Sequence, residues 1–197
     1  MASTIHLYLA SQSPRRRELL KQVSVKFRVL VPDVDEEPLP REAPTVYVER
    51  IARLKAEETW RRLVARGRTL RPVLAADTAV ILGRRIFGKP ADDAEACAML
   101  HALSGRTHQV VTAVAVRYEK KIKLLTSTTA VTFRRLAADE IARYVASGES
   151  QDKAGAYGIQ GLAATFIARI EGSYSGVMGL PLFETATLLK TFGIQTL

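Results

Sequence analysis

Val110–Tyr118 and Lys123–Phe133 are two long runs rich in valine and threonine, separated by the basic turn Glu119–Lys121. Such residues suit a pleated, half-buried surface, and two runs joined by a short turn read as an antiparallel hairpin. A sheet built around that hairpin is at least partly antiparallel, which argues against a pure doubly wound fold. Ile5–Leu9, Lys26–Val31, Val73–Ala76 and Ala164–Ile170 read as further strands. Thr78–Leu82 and Arg85–Phe87 read as a second hairpin about Gly83-Arg84. Helical spacing marks Arg15–Lys21, Val46–Arg66, Pro90–Leu103, Ala138–Ala146 and Leu180–Thr191. Ser13 is placed to cap the first helix with Pro14 at its first position, and Thr45 to cap the second. The expected fold is α/β, a mixed, partly antiparallel sheet flanked by helices, in a single domain over residues 1–197.

A chain of 197 residues can bury a core without staples, and 47% hydrophobic with 25% charged side chains is ordinary for a globular protein. Extended disorder is excluded on that ground. Cys97 is the only cysteine, which excludes an internal disulfide and a cysteine-based zinc site. His6, His101 and His108 are too scattered to suggest a metal cluster. No apolar run reaches the roughly 18 residues of a membrane span. The positive charges near the N-terminus follow its apolar stretch, whereas a secretory signal carries them in front. A cytoplasmic protein without a membrane partner is expected. Arginine outnumbers lysine 20 to 9 and the net charge is +9, which favours nucleic acid, nucleotides or phosphorylated metabolites without choosing among them.

Five segments can carry chemistry. Ser11-Gln12-Ser13-Pro14-Arg15-Arg16-Arg17 lies between a strand and a helix start. Unpaired backbone N–H groups, hydroxyls and planar guanidinium forks suit a phosphate there, and a capped helix with a solvated basic face fits equally. It lacks the glycines and the Gly-Lys-Ser/Thr ending of a Walker loop. Asp77, in Ala75-Ala76-Asp77-Thr78, is expected at the end of an apolar strand, where an acid can ligate Mg²⁺, activate a water or simply form a turn. Lys89, in Gly88-Lys89-Pro90, is expected near the same sheet end, as a phosphate holder or a surface cation. The acidic loop Asp33–Glu37 can complete a cation site with Asp77 or be a solvated loop. Asp152–Gly161 holds three glycines in its last seven residues. Tyr157 is placed to stack on a base and Gln160 to read a base edge, and a buried structural turn is the alternative. Cys97 and His108 read as structural.

In order along the chain, Leu9–Leu20, Asp33–Glu36, Ala76-Asp77-Thr78, Gly88-Lys89-Pro90, Leu103-Ser104-Gly105, Asp152–Gly161 and Gly172-Ser173-Tyr174…Gly179-Leu180-Pro181-Leu182 resemble the signatures of the Maf family. The resemblance spans nearly the whole chain. It implies nucleoside triphosphate pyrophosphatases with a fold similar to that of inosine triphosphate pyrophosphatases. They cut a nucleotide to its monophosphate and pyrophosphate with a divalent cation, Mg²⁺ or Mn²⁺. One branch acts on dTTP and UTP and another on 7-methyl-GTP, and Lys153–Gly161 looks like the first. The resemblance implies that Asp77 is the proton acceptor and that Arg15, Thr78 and Gln160 are tied to specificity. Gln12 stands where glycine is common and Gly176 where asparagine is common.

Breaking the α–β phosphoanhydride bond loads negative charge onto the leaving pyrophosphate, so cations held in place beforehand are needed. Arg15, Arg16, Lys55 and Lys89 are the candidates, with Ser11 as a further phosphate donor. Lys55 rests on the family pattern and one helix position. Glu36 is expected to share a metal with Asp77. The expected partners are the nucleoside triphosphate and a second copy of the chain as a homodimer, without stable nucleic-acid binding. A 7-methyl-GTP pyrophosphatase, a basic nucleic-acid-binding protein and a cell-division regulator are the alternatives.

Overall fold

The computed structural model describes residues 5–196. The chain runs through β1 (Leu7–Ala10), α1 (Pro14–Gln22), β2 (Phe27–Val29), α2 (Pro44–Ala65), β3 (Val73–Leu82) and β4 (Arg85–Phe87). It continues through α3 (Asp93–Leu103), β5 (Thr107–Tyr118), β6 (Lys121–Phe133), α4 (Ala138–Ala146), β7 (Ile167–Glu171), α5 (Tyr174–Val177) and α6 (Leu182–Lys190). One mixed sheet has the order β2-β1-β3-β5-β6-β7, with β4 also paired to β3. β2, β1 and β3 are parallel, and β3, β5, β6 and β7 are antiparallel to their neighbours. The β5–β6 hairpin is present as expected, with Tyr118 opposite Lys121 at its tip.

Alternation along the strands divides the core. Tyr8, Ala10, Val73, Ala75, Ala113 and Ala115 pack against the apolar stripe of α2, including Val48, Ala52, Ala56 and Trp60. Leu7, Leu9, Leu74, Ala76, Val114 and Val116 pack on the other face with Leu19 and Leu20 of α1 and Leu188 and Leu189 of α6. A third cluster joins α3 and α4 to Phe87, Val131 and Phe133.

Several expected boundaries move. Ser13 does cap α1, its Oγ accepting from the Arg16 N–H at 3.4 Å. Thr45 does not cap α2, which starts at Pro44 behind Ala43 without a side-chain cap. Proline at the first turn needs no donor, so the helix can begin two residues earlier, at Pro44 rather than Val46. α3 begins at Asp93 rather than Pro90, because the Asp92 side chain accepts from the Glu95 N–H at 2.8 Å. The first half of the expected strand Ala164–Ile170 is a 3₁₀ helix, Leu162–Phe166.

The largest departure is at β3. Val73–Ala76 and Thr78–Leu82 are one continuous strand, so Asp77 lies in its middle and not at its end. β5 covers one edge of β3 from Val73 to Ile81. On the other edge β1 covers only Val73–Ala75 and β4 only Val80–Leu82. Ala76–Ala79 therefore face an opening in the sheet. The parallel part of the sheet stops there, which is where ligands of open α/β sheets bind.

Candidate active site

The opening at Ala76–Ala79 leads into a cleft of about 1130 Å³. Its walls include the Ser11–Arg16 turn, Glu36, Lys55, Asp77, Thr78, Gly88-Lys89 and Lys153–Gly161. Every residue expected at a site lines it: Ser11, Arg15, Arg16, Glu36, Lys55, Asp77, Thr78, Lys89 and Gln160.

Neighbouring strand residues point to opposite faces, and this sorts Asp77 from Thr78. Asp77 shares its face with Val73 and Ala75 and meets α2. Lys55, in the middle of α2, donates from Nζ to Asp77 Oδ1 at 2.9 Å and to Glu36 Oε2 at 2.6 Å. Both Lys55 and Asp77 are buried. Burial raises the Asp77 carboxyl above its ordinary value, and the charges of Lys55 and Arg16 pull it back. Tyr47 donates to the Glu36 carbonyl at 3.0 Å, and Arg50 donates to the Glu37 carbonyl at 3.0 Å. Arg50 also grips the Glu42 carboxylate at 2.6 and 2.7 Å. Three side chains of α2 thus fasten the acidic loop over Asp77.

Thr78 faces the α1 side. Arg16 donates to the Gly179 carbonyl at 2.7 Å, to Ser11 Oγ at 3.3 Å and to Thr78 Oγ1 at 3.1 Å. Thr78 Oγ1 is 2.9 Å from Thr112 Oγ1, and Thr112 donates to the Gly176 carbonyl at 2.8 Å. Since the Thr112 proton goes to Gly176, the Thr78 proton goes to Thr112. The chain of bonds has one direction, from Arg16 through both threonines to Gly176. Three of the five N–H donors of Arg16 are therefore spent on the protein. Ser11 Oγ also accepts from the Ser13 N–H at 3.1 Å, which shapes the turn. Gln12 is not among the residues with positive φ, so a side chain at this position brings no backbone strain.

Arg15, Lys89 and Lys153 line the cleft and form no ion pair among the described residues. Lys153 donates to the carbonyls of Glu149 and Gln151. Burial lowers its pKa, and the charge of Arg15 lowers it further. Two cations that repel each other across a cleft form a natural seat for an anion.

The glycine-rich segment does two different things. Tyr157 is buried, its hydroxyl is 2.8 Å from His108 Nε2, and its ring packs edge-on to Phe133. It is a core residue and not a base-stacking one, because its ring belongs to the α3–α4 cluster. His108 is structural, as expected. Gln160 is exposed in the cleft, and its side chain makes no hydrogen bond among the described residues. Gly155, at φ +69, donates to the Gly88 carbonyl at 2.9 Å and joins this segment to the Lys89 loop. A Cβ there would come 2.9 Å from the Val80 side chain.

Glu149, Thr112, Tyr47 and Arg50 were not singled out from sequence. Glu149 accepts from the Leu162 N–H at 2.8 Å and the Ala163 N–H at 3.3 Å, and its carboxylate fills the space where a Cβ on Gly161 would lie. The three glycines signalled a close approach. The side chain that approaches comes from outside the motif.

Two carboxylates converging on one cation are a fitting donor set for Mg²⁺ or Mn²⁺, which favour oxygen ligands. The second oxygens of Asp77 and Glu36 carry no hydrogen bond among the described residues. No group of three or more His, Cys, Asp or Glu comes together among those residues. A metal held by these two would be completed by water and by substrate phosphates, as Mg²⁺ commonly is.

The family described as Maf-like protein matches residues 6–192. A protein of Nitrosomonas europaea named dTTP/UTP pyrophosphatase is 55% identical over 197 residues, covering 96% of this chain and 95% of the relative. A protein of the same name from Chromobacterium violaceum is 53% identical over 189 residues, with 96% of each chain covered. The structure of the Staphylococcus aureus Ham1 protein matches with a TM-score of 0.47 and 17% identity, over 64% of this chain and 71% of that one. No helix among the described residues is long and apolar enough to cross a membrane.

Proposed function

The chain belongs to the Maf family, and from that membership we propose that it is a nucleoside triphosphate pyrophosphatase, hydrolysing dTTP and UTP to the monophosphate and pyrophosphate. The observation that carries the reading is a buried carboxylate, Asp77, at the mouth of a cleft whose other walls carry unpaired cations. Identities of 55% and 53%, each over 96% of this chain, with relatives bearing the dTTP/UTP name support the choice of substrate.

Asp77 accepts a proton from the attacking water, and burial favours that role because a raised carboxyl is a stronger base. Arg15 and Lys89 take the phosphates, since no protein acceptor competes for them. Arg16 has two donors left and chiefly fixes Thr78 and the Ser11 turn. Lys55 holds Glu36 and Asp77 together. Glu36 and Asp77 are the residues that would hold the divalent cation, which when bound supplies positive charge to the phosphate oxygens.

Gln160 reads the base. Uracil and thymine present a ring N–H flanked by carbonyls, which a donor–acceptor pair from an amide can match. Cytosine reverses that order and leaves polar groups unpaired, at roughly 1–3 kcal/mol each. The discrimination requires the amide to be held in one orientation. An amide free to turn would pair with either base, and no protein group fixes it among the described residues, so the discrimination requires the neighbouring Gly158 or Gly161 backbone to hold it once the nucleotide is bound.

The test is pyrophosphate release over all common nucleotides and 7-methyl-GTP, with and without a chelator. Higher kcat/KM for UTP and dTTP than for CTP, with loss of turnover on chelation, is expected. Preference for 7-methyl-GTP would place the chain in the sister branch, and equal rates on UTP and CTP would remove the role of Gln160.

A further inference from the structure

The charge of this protein is segregated, and the fold shows where it goes. Four segments meet at the end of the sheet away from the cleft. They are residues 20–30, entering β2; 62–74, leaving α2 for β3; 115–124, the tip of the β5–β6 hairpin; and 186–196, at the end of α6. The register joins them: Leu7 pairs with Phe27, Tyr8 with Val73, Val73 with Arg117 and Tyr118 with Lys121. Lys121 Nζ lies 5.2 Å from the Phe192 ring centroid, which brings in the α6 end.

These segments contain 12 of the 29 lysines and arginines and one of the 20 carboxylate side chains, Glu119. The remainder holds 17 cations against 19 carboxylates, so the whole surplus of +9 originates at this pole. None of the 12 forms an ion pair among the described residues. Lys21, Arg62 and Lys190 lie in last turns of helices, where they complement the helix dipoles. The hairpin cations Arg117, Lys120, Lys121 and Lys123 are at no helix end. Arg117 Nε is buried without an acceptor.

Apart from Arg62, which donates to the carbonyl of Val31 in the cleft wall at 2.9 Å, the pole does not serve the cleft. Arg117 is five residues along β5 from Thr112, about 17 Å at strand rise. Arg66 is 11 residues along α2 from Lys55, about 16 Å at helix rise. Cations at that end draw a nucleotide away from Asp77, so substrate steering is not their use.

We propose that this basic pole binds the backbone of single-stranded nucleic acid. The strands from β2 to β6 span about 19 Å at their usual spacing, enough for a few consecutive phosphates. Half of the 12 cations are arginines, whose fork grips phosphate oxygens in pairs. The aromatic rings among them, Phe27, Tyr118 and Phe192, are half-buried against the core, Tyr118 edge-on to Trp60 and Phe192 beneath Lys121, so the contact they leave open is a ring edge. A positively charged track that follows the backbone is the part of a single-strand site that this pole supplies. The sequence hid this arrangement, because the aromatic and basic residues come from segments far apart in the chain. The expectation from sequence is the opposite, that stable nucleic-acid binding is absent.

The experiment is fluorescence anisotropy with a labelled 20-nucleotide oligodeoxyadenylate, which offers phosphates without the pyrimidine of the cleft. The affinity is expected to fall with salt at a log–log slope of about −2 to −3, for three or four phosphates neutralised. The double variant Lys120→Glu/Lys121→Glu is expected to bind at least tenfold more weakly with unchanged kcat/KM for UTP. Arg66→Glu/Arg68→Glu, on the exposed turn after α2, gives the same reading should the hairpin variant fail to fold. Unchanged oligonucleotide affinity in a folded charge-reversal variant would overturn the proposal. Loss of binding in Arg15→Ala would overturn it too, by placing the oligonucleotide in the cleft. So would binding to phosphatidylserine vesicles with no binding to the oligonucleotide.

Discussion

Lys55 Nζ lies 2.9 Å from Asp77 Oδ1, and this buried pair ties the middle of α2 to the one uncovered stretch of β3. Asp77→Asn keeps the shape and removes the base. A loss of at least about a hundredfold in kcat is expected, the usual scale for a general base. The substitution also leaves the buried Lys55 ammonium with Glu36 as its remaining carboxylate partner, so the variant should fold and melt below wild type. Steady-state kinetics beside a melting curve checks both. Near-normal turnover in a folded variant would move the role to Glu36.

His108 gives the pH dependence of stability. Burial lowers its pKa to about 4, from an ordinary value near 6.5. A histidine held neutral stabilises the fold fully above pH 6.5, and the contribution fades as pH falls through 4. Its size is about 3 kcal/mol. His108→Gln has nothing to titrate at this position. Denaturant unfolding at pH 7 and pH 4.5 should show the gap between wild type and variant narrowing in acid, and a constant gap would contradict this reading.

Thr112→Val breaks the directed chain of bonds at its centre. The Gly176 carbonyl loses its donor and the Thr78 proton its acceptor, a cost of about 1–3 kcal/mol. Thr78 then turns freely, so KM for UTP should rise severalfold while kcat falls less than threefold. A lowered kcat at unchanged KM would show that the threonines serve the chemical step instead.

Gly161→Ala pushes the Glu149 carboxylate off the Leu162 and Ala163 amides, since a Cβ would lie 2.3 Å from Glu149 Oε2. With Gln160 next in sequence, the ratio of kcat/KM for UTP to that for CTP should drop toward one. An unchanged ratio would detach Gln160 from base choice.

The elements are legible in sequence because their signals are local, and the membership of the cleft is legible through the resemblance, since its residues come from segments as far apart as Ser11 and Gln160. Ser13 before Pro14 marks a helix start wherever it occurs, and the runs flanking Glu119–Lys121 can pair in few ways. The sheet order was not legible, and with it the place of Asp77. Its neighbours Ala76 and Thr78 suit a strand end or a strand centre alike, and only the shortness of β1 and β4 leaves it uncovered. Tyr157 looked available beside three glycines, yet His108 and Phe133 hold it from far along the chain. Lys55 is expected at the phosphates, and the structure sets it between two carboxylates with one ammonium donor unspent, because Glu36 arrives on a loop whose path follows from Tyr47 and Arg50.

The central claim is cleavage between the α- and β-phosphates of a pyrimidine nucleotide, and phosphorus NMR of UTP turnover with Mg²⁺ tests it most directly. Equal amounts of UMP and pyrophosphate, with neither UDP nor inorganic phosphate at early times, are predicted. UDP with inorganic phosphate as the first products would contradict it.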